Sequence, residues 1–206
     1  SEFPLMPESK VAVFVGSHAK MTKELIEALE HFCESNNAVV FCDHTSGYKG
    51  KYSVIHSLSS SQRLIGFDEL RPDLLIHIGE ITGDYSINKV VGQQVWRVNE
   101  DGELRDTFRK LHYIFEMPEE AFFKHYANAK NNKSYENYLE KCKCHLQNLY
   151  NRIPDLPFSN IWIAKKIHRL FPENSTVHFG ILNSLRSWNF FELPKSVASN
   201  SNVGGF

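Results

Sequence analysis

Three short apolar runs constrain the fold of this chain more than any other feature. They occupy residues 10–15 (KVAVFV), 38–42 (AVVFC) and 73–78 (DLLIHI). These runs lack the alternation of a half-exposed strand and are typical of strands buried on both faces of a parallel sheet. Apolar residues at helical spacing across 21–32 predict the crossover helix that parallel strands need. The pattern therefore predicts βαβ units and an α/β fold.

Weaker signals predict the remaining elements of a first domain. Residues 94–98 (QVWRV) and 111–115 (LHYIF) are expected to be a fourth and a fifth strand, and the serine-rich segment 52–64 is expected to form a helix. Apolar side chains at three- and four-residue steps across 135–150 predict an amphipathic helix. With right-handed crossovers, these elements predict a doubly wound, mostly parallel sheet.

A proline-rich segment at 153–157 (IPDLP) marks the expected end of that domain. Beyond it, Ser159 is expected to cap a helix. A second βα unit is then expected, with a strand at 176–179, a helix that opens at Asn183 and a short strand at 195–199. The predicted parts are a linker or tag remnant (1–9), a Rossmann-like central domain (10–152) and the truncated start of a second domain (153–206).

Composition excludes several classes of protein. The chain has 206 residues and a net charge of -1, which argues against a general nucleic-acid binder because such proteins carry a basic surplus. No apolar run approaches the roughly 20 residues of a membrane span, and the N-terminus lacks a signal-peptide pattern. Four cysteines are too few for a disulfide scaffold, so a cytoplasmic protein is expected.

A single glycine follows the first predicted strand, at the position where a doubly wound fold places its ligands. A dinucleotide fingerprint needs three glycines in G-x-G-x-x-G, whereas Gly16-Ser17-His18 contains one. An ordinary strand-to-helix turn is therefore the favoured interpretation. His18 and His44 both follow predicted strands, but the sequence shows no nucleophile or carboxylate partner for them. Both are expected to be surface or capping residues.

Three polar segments leave two interpretations open. The loops at 43–50 (DHTSGYKG) and 79–85 (GEITGDY) either line a ligand crevice at the carboxyl edge of the sheet or are ordinary surface loops. The turn that begins at Asn183-Ser184 and continues to Arg186 is either an anion site at a helix N-terminus or a capped helix with a solvated arginine.

The segment Cys142-Lys143-Cys144-His145 has the residue types of a metal site without the spacing of one. Residues two apart on a helix point to different faces, and the sequence has no second Cys/His pair at zinc spacing. One half-buried cysteine, one exposed cysteine and no metal site are therefore expected.

Four segments, taken together, resemble one enzyme family. They are residues 76–84 (IHIGEITGD), 95–106 (VWRVNEDGELRD), 178–184 (HFGILNS) and 201–206 (SNVGGF). In this order they are similar to the 2-succinyl-5-enolpyruvyl-6-hydroxy-3-cyclohexene-1-carboxylate synthases of menaquinone biosynthesis, which depend on thiamine diphosphate. Each motif is modest by itself, and their order and spacing carry a resemblance that covers nearly the whole chain from Lys10.

The resemblance implies a part of a larger, three-domain transferase. Members decarboxylate 2-oxoglutarate on thiamine diphosphate and add the succinyl carbanion to isochorismate, as homo-oligomers with active sites between subunits. The family's activating glutamate and its Mg²⁺ ligands belong to segments that these 206 residues do not include. The chain alone is therefore expected to contain no catalytic or metal-binding residue, to hold no cofactor and to be inactive.

Five positions are expected to contact the cofactor or substrate in the full-length enzyme. Asn183 and Ser184 match the family's Asn-Ser turn, and Asn202 and Gly204 match the start of its S-N-x-G motif. Arg186 is added on chemical grounds, as a cation that substitutes for a family arginine in binding a substrate carboxylate.

The chain also departs from the family where substrate carboxylates are bound. Trp188 and Val203 stand where many members have arginines, and Thr82-Gly83 is followed by Asp84 where a Lys-Arg pair is common. These losses leave two alternatives open. One is another thiamine-diphosphate carboligase or decarboxylase, and the other is a non-catalytic domain that binds a nucleotide, a flavin or a partner.

Overall fold

A six-stranded, all-parallel sheet forms the centre of the molecule. The computed structural model describes residues 3–62, 67–127 and 135–201. The strands are β1 (Val11–Val15), β2 (Val39–Cys42), β3 (Ser53–Ile55), β4 (Leu74–Ile78), β5 (Gln94–Asn99) and β6 (Leu111–Glu116). Their order is β3-β2-β1-β4-β5-β6, and apolar clusters lie on both faces. The predicted α/β class with a doubly wound sheet is confirmed.

β1 and β4 lie in the middle of this sheet because their side chains are apolar on both faces. They pair in register from Val11 opposite Leu74 to Val15 opposite Ile78. Every residue of both strands is buried. Burying a valine, leucine or isoleucine side chain contributes about 1.5–3 kcal/mol, so a strand that is apolar on both faces is most stable where both are covered.

Two helices, α1 (Lys23–Asn36) and α3 (Glu119–Ala127), cover one face and pack against each other. The Thr22 side chain caps α1 by accepting a hydrogen bond of 3.1 Å from the N–H of Leu25. The helix ends at Asn37, which takes the left-handed conformation (φ 48°) that asparagine tolerates well. Apolar residues of both helices join one core cluster with the strands beneath them.

The other face is covered by α2 (Ser57–Ser61), α4 (Tyr138–Asn151) and two short 3₁₀ helices at Asp68–Leu70 and Tyr85–Val90. α4 accounts for most of the helix predicted across 135–150. Its side chains alternate between buried and exposed positions at helical spacing, as an amphipathic surface helix requires.

The helix predicted across 52–64 is wrong in its first part. Residues 53–55 form β3, which pairs with β2 from Ser53 opposite Val40 to Ile55 opposite Cys42, and α2 follows after one residue. The free edge of β2 provides backbone partners for this segment, and serine has no strong preference for a helix. Pairing across the sheet therefore overrides the local signal.

The last quarter of the chain adds a second, separate sheet. Its elements are α5 (Asn160–Ile167), β7 (Thr176–Phe179), α6 (Asn183–Trp188) and β8 (Ala198–Ser201). β7 and β8 pair in parallel with each other and form a two-stranded sheet that is separate from the large sheet. Ser159 caps α5 as predicted, since its hydroxyl oxygen accepts a hydrogen bond of 3.2 Å from the N–H of Trp162.

The strand predicted at 195–199 is displaced along the chain. β8 begins at Ala198, because the N–H of Val197 closes a turn on the carbonyl oxygen of Pro194 at 3.0 Å. The residues after Pro194 therefore belong to a turn that precedes the strand. The domain division at residue 153 stays a prediction.

Candidate functional site

The carboxyl ends of β1 and β4 form the topological switch point of the large sheet. The chain that leaves β1 enters α1 on one face, and the chain that leaves β4 enters the 3₁₀ helix Tyr85–Val90 on the other. In open parallel sheets the crevice for a ligand lies where neighbouring strands lead to opposite faces. The two loops that follow β1 and β4 are therefore candidates for a ligand site.

Backbone hydrogen bonds join these two loops. The N–H of Ser17 donates to the carbonyl oxygen of Glu80 at 3.1 Å, and the N–H of Glu80 donates back to that of Ser17 at 2.7 Å. A Cβ on Gly16 would lie 1.8 Å from the same Glu80 oxygen. Gly16 is thus explained by close packing of two loops, as the favoured turn interpretation expects, without any pyrophosphate.

Beside this junction lies an open cleft of about 520 Å³. Its lining includes His18, Gly79, Arg97, Asp101 and Glu119. The cleft lies at the carboxyl edge of the large sheet, between the loops that follow β1, β4 and β5. It contains both cationic and anionic groups.

Arg97 carries a buried positive charge into the wall of the cleft. Its side chain is 1% exposed, and one Nη donates to the carbonyl oxygen of Gly79. The other Nη lies 3.8 Å from the Glu80 carboxylate. Burial lowers the pKa of the guanidinium, while Glu80 acts to raise it. The Nε atom has no hydrogen-bond partner among the residues that the structure describes. Arg97 therefore holds the loop after β4 in place.

His18 is held between two acceptors at the rim of the cleft. Its Nε2 lies 2.9 Å from a carboxylate oxygen of Glu119, and its Nδ1 lies 2.6 Å from the carbonyl oxygen of Ala19. Both ring nitrogens can donate only in the imidazolium form. The hydrogen bond to Glu119 accordingly raises the pKa of His18. The sequence did not reveal this pair, because Glu119 follows 101 residues later.

A second polar cluster joins the loops 43–50 and 79–85. One carboxylate oxygen of Asp43 accepts hydrogen bonds from the N–H (2.7 Å) and the hydroxyl (2.6 Å) of Thr45. The other oxygen accepts from the hydroxyl of Thr82. The two predicted loops do meet at the carboxyl edge, but these contacts satisfy Asp43 within the protein and make it a structural residue.

His44 connects the large sheet to the end of α6. Its N–H donates to the side-chain oxygen of Asn189 at 3.2 Å. Its Nε2 lies 3.0 Å from the carbonyl oxygens of both Trp188 and Phe191, and donates to them. Burial lowers the pKa of His44 and favours its neutral form. His44 is therefore not a surface residue, because it is buried. It does cap the end of α6, as the other part of the expectation states, through the carbonyl oxygens of Trp188 and Phe191.

Of the five residues predicted to contact cofactor or substrate, the structure describes three. Asn183 and Ser184 are exposed at the start of α6. Arg186 is half-buried, and its Nε donates to the carbonyl oxygen of Gly83 at 3.3 Å, so it points to the loop after β4. Asn202 and Gly204 lie outside the described residues.

The departures from the family pattern have structural counterparts. Trp188 packs against Phe171 and Phe179, with ring centroids 5.6 and 5.2 Å apart. It fills a small apolar core where the resemblance would have an arginine. Leu182, which precedes the Asn-Ser turn, has φ 74° and ψ -123°. That backbone conformation suits glycine and is strained for leucine.

Metal binding finds no support within the described residues. No group of three or more His, Cys, Asp or Glu side chains in this part of the chain is placed to hold a metal ion. Cys142 is buried and Cys144 is exposed, so the two cysteines of the Cys-Lys-Cys-His segment face different surroundings. This agrees with the helix geometry argued from the sequence.

Comparison with protein-family models finds no match, and comparison with curated proteins finds none either. Among the described residues no helix has the length and apolar character to cross a membrane. Function must therefore be inferred from the residues and their geometry.

Proposed function

We propose that this chain is the central region and the beginning of the diphosphate-binding region of a thiamine-diphosphate-dependent synthase. The synthase would decarboxylate 2-oxoglutarate and add the resulting succinyl unit to isochorismate, as a cytoplasmic homo-oligomer. One observation carries the proposal: α6, which opens with Asn183-Ser184 directly after β7, packs against the loop at the carboxyl edge of the large sheet. The packing brings together two of the segments on which the family resemblance rests.

The contacts between α6 and that loop are specific. Leu185 is fully buried and lies so close to Gly83 that a Cβ there would be 2.8 Å from a Leu185 methyl group. Together with the Arg186 hydrogen bond to Gly83, this contact fixes the Asn-Ser turn relative to the β4 loop. A turn held in this way can present Asn183 and Ser184 to a ligand in a fixed geometry.

The residues present fit one edge of a diphosphate-bearing cofactor. Asn183 and Ser184 offer an exposed amide and an exposed hydroxyl that can donate hydrogen bonds. The described residues provide no set of ligands for Mg²⁺. The proposal assigns those ligands to a later part of the parent protein. When bound, thiamine diphosphate supplies the electron sink for decarboxylation. The role proposed for this chain is to hold and orient.

One observation favours a second candidate function. Neither Trp188 nor Asp84 is a cation that could bind a substrate carboxylate. Trp188 is packed into an apolar core, and Asp84 is buried. A thiamine-diphosphate carboligase or decarboxylase that accepts a less anionic 2-oxo acid is therefore the alternative. A nucleotide or flavin site at the switch point is less well supported, because the N–H of Ser17 already donates to Glu80 and is not free for a phosphate.

The test begins with the reading frame that encodes this chain. The proposal expects a Gly-Ile-Asp-Gly motif directly after Phe206, a magnesium motif beyond it and an upstream domain with the activating glutamate. The purified full-length product should then release CO₂ from 2-oxoglutarate only with thiamine diphosphate and Mg²⁺, and should consume isochorismate. A stop codon after Phe206, or a parent protein without those motifs, would overturn the proposal.

A matched pair of variants tests the role of the Asn-Ser turn in that full-length product. Asn183→Ala should raise the concentration of thiamine diphosphate needed for half-maximal activity by about tenfold, as expected for the loss of one hydrogen bond to a charged group. Asn151→Ala, at the exposed end of α4, should leave it unchanged. Turnover of other 2-oxo acids without 2-oxoglutarate would favour the alternative substrate.

A further inference from the structure

A small hollow lies where the end of α4, the end of α5 and the segment after α6 meet. Its volume is about 270 Å³. Small-molecule sites begin at roughly 300 Å³, so the hollow has the size of a site for a single small metabolite. It is distinct from the cleft at the switch point, because the two share no lining residue.

Two charges of opposite sign line this hollow without contacting each other. Arg169 and Glu192 both lie in its wall, and both residues are exposed. Neither forms an ion pair or a side-chain hydrogen bond within the part of the chain that the structure describes. Both charges act on Tyr150, since burial and the Glu192 carboxylate raise the pKa of its phenol, whereas Arg169 lowers that pKa. The hollow therefore offers an unpaired cation and an unpaired anion to one bound molecule.

The Tyr150 hydroxyl is a second, independent indication of a ligand. Its oxygen is buried and has no hydrogen-bond partner among the described residues. The ring stacks on that of Phe191 with centroids 6.3 Å apart, and these two rings and Ile153 form the apolar part of the wall. A buried hydroxyl without a partner destabilises a fold. An acceptor on a molecule in the adjacent hollow would satisfy this one.

His168 and Lys165 add hydrogen-bonding groups of known polarity to the wall. Burial lowers the pKa of His168 and favours its neutral form. Its Nδ1 lies 3.1 Å from two backbone carbonyl oxygens of α5, so Nδ1 carries the proton and Nε2 is an acceptor. The Lys165 ammonium group donates to two backbone carbonyl oxygens after α4, at 3.3 and 3.2 Å, which leaves one of its three protons. The hollow thus has one donor and one acceptor besides the two unpaired charges.

We propose that this hollow binds a free α-amino acid with an apolar side chain, in its zwitterionic form. Arg169 and the remaining Lys165 proton bind the carboxylate, while Glu192 and the Nε2 of His168 accept hydrogen bonds from the ammonium group. The apolar part of the wall receives the side chain. Glu192 repels a ligand that is only anionic, and Arg169 and Lys165 repel one that is only cationic, so the mixed charges select a zwitterion. The proposal does not rest on the thiamine-diphosphate proposal.

The experiment titrates L-leucine into the purified, isotope-labelled chain and follows the NMR chemical shifts of the backbone. Shifts should change at the end of α4, in α5 and after α6, with a Kd of roughly 1 mM or less, which is ordinary for a ligand of about nine heavy atoms. Two analogues serve as matched ligands. Leucinamide lacks the carboxylate and N-acetyl-leucine lacks the ammonium group, and each should bind at least about tenfold more weakly than leucine.

Three variants test the residues of the wall. Arg169→Gln and Glu192→Gln each remove one charge at an exposed position, and each should lower the affinity for leucine about tenfold. Tyr150→Phe removes only the hydroxyl and keeps the ring, and should lower the affinity about fivefold. Circular dichroism of each variant verifies folding.

Two control variants remove the same kinds of charge outside the hollow. Lys166→Gln on α5 and Glu173→Gln shortly after it change exposed residues that do not line the hollow. Both should bind leucine as the unchanged protein does. Three results would overturn the proposal: no change of chemical shift at about 10 mM leucine, equal affinity for leucine and its two analogues, or equal affinity of the three wall variants and the unchanged protein.

Discussion

His77 should make the stability of this protein depend steeply on pH, even though it lies in the middle of the sheet and away from solvent. It is 2% exposed on β4, and its ring contacts those of Phe14 and Phe108 with centroids 5.6 and 5.2 Å apart. Burial, together with the nearby positive charges of Arg97 and Arg105, lowers the pKa of His77 to about 3. In the unfolded chain the pKa of a histidine is about 6.5.

The sign of the effect follows from these two values. Above pH 6.5 His77 is neutral in both states, and its titration has no effect on the free energy of unfolding. As the pH falls below about 6.5, the unfolded state takes up a proton that the folded state does not, so the folded state loses stability until the pH reaches about 3. At pH 5 the loss amounts to about 2 kcal/mol, a large fraction of the stability of an ordinary domain.

The measurement is urea unfolding followed by circular dichroism from pH 8 to pH 5. His77→Leu should change stability little at pH 8, because it fills a similar space and removes a buried Nδ1 that has no partner among the described residues. Between pH 8 and pH 5 the variant should gain about 2 kcal/mol relative to the unchanged protein. Ile76→Val, in the same strand, should cost about 1 kcal/mol at every pH, since it removes a methylene and no titrating group. The same pH dependence in His77→Leu and the unchanged protein would refute the argument.

Three further predictions concern backbone strain at Leu182, the packing of two loops at Gly16 and the contacts of His44 with the end of α6. Leu182→Gly should raise stability by about 0.5–2 kcal/mol in thermal unfolding, because the strain of leucine at φ 74° exceeds the entropic cost of glycine; a lower melting temperature would contradict this. Gly16→Ala should destabilise by about 3 kcal/mol or more, since its Cβ would lie 1.8 Å from the Glu80 carbonyl oxygen, and an unchanged urea midpoint would show that the loops can separate freely. His44→Ala removes the hydrogen bonds of the imidazole to the carbonyl oxygens of Trp188 and Phe191, and should expose the segment after α6 to limited proteolysis at least tenfold faster; equal cleavage rates would exclude that role.

Local sequence was sufficient for the elements whose signal does not depend on a distant partner. The apolar runs predicted β1, β2 and β4, and the helical spacing after the first run predicted α1. Ser159 was recognised as a cap because a helix N-terminus is satisfied by the residue that directly precedes it. The missed strand β3 shows the limit, since its three residues form a strand only because β2 has a free edge beside them.

The candidate site was predictable in place but not in composition. The fold class placed the loops at 43–50 and 79–85 at the carboxyl edge and left open whether they line a crevice; in the structure a hydrogen bond from Thr82 to Asp43 joins them. The partner of His18, however, is a carboxylate from α3, and the partners of His44 come from the end of α6. No periodicity or motif links residues that are more than 100 positions apart, so these pairs had no signal in a single sequence.

The sequence by itself determined that this chain forms a parallel α/β sheet, because runs that are apolar on both faces are stable only when helices cover both faces. It also determined that the Cys142 and Cys144 side chains face different surroundings, since helix geometry fixes that relation locally. Tertiary structure alone decided the rest. It joined the loops at the switch point by backbone hydrogen bonds, turned Arg186 to the carbonyl oxygen of Gly83, and left Phe158 and Leu170 exposed on either side of α5. Each of these outcomes depends on which surfaces meet in the folded chain, and a linear pattern does not contain that information.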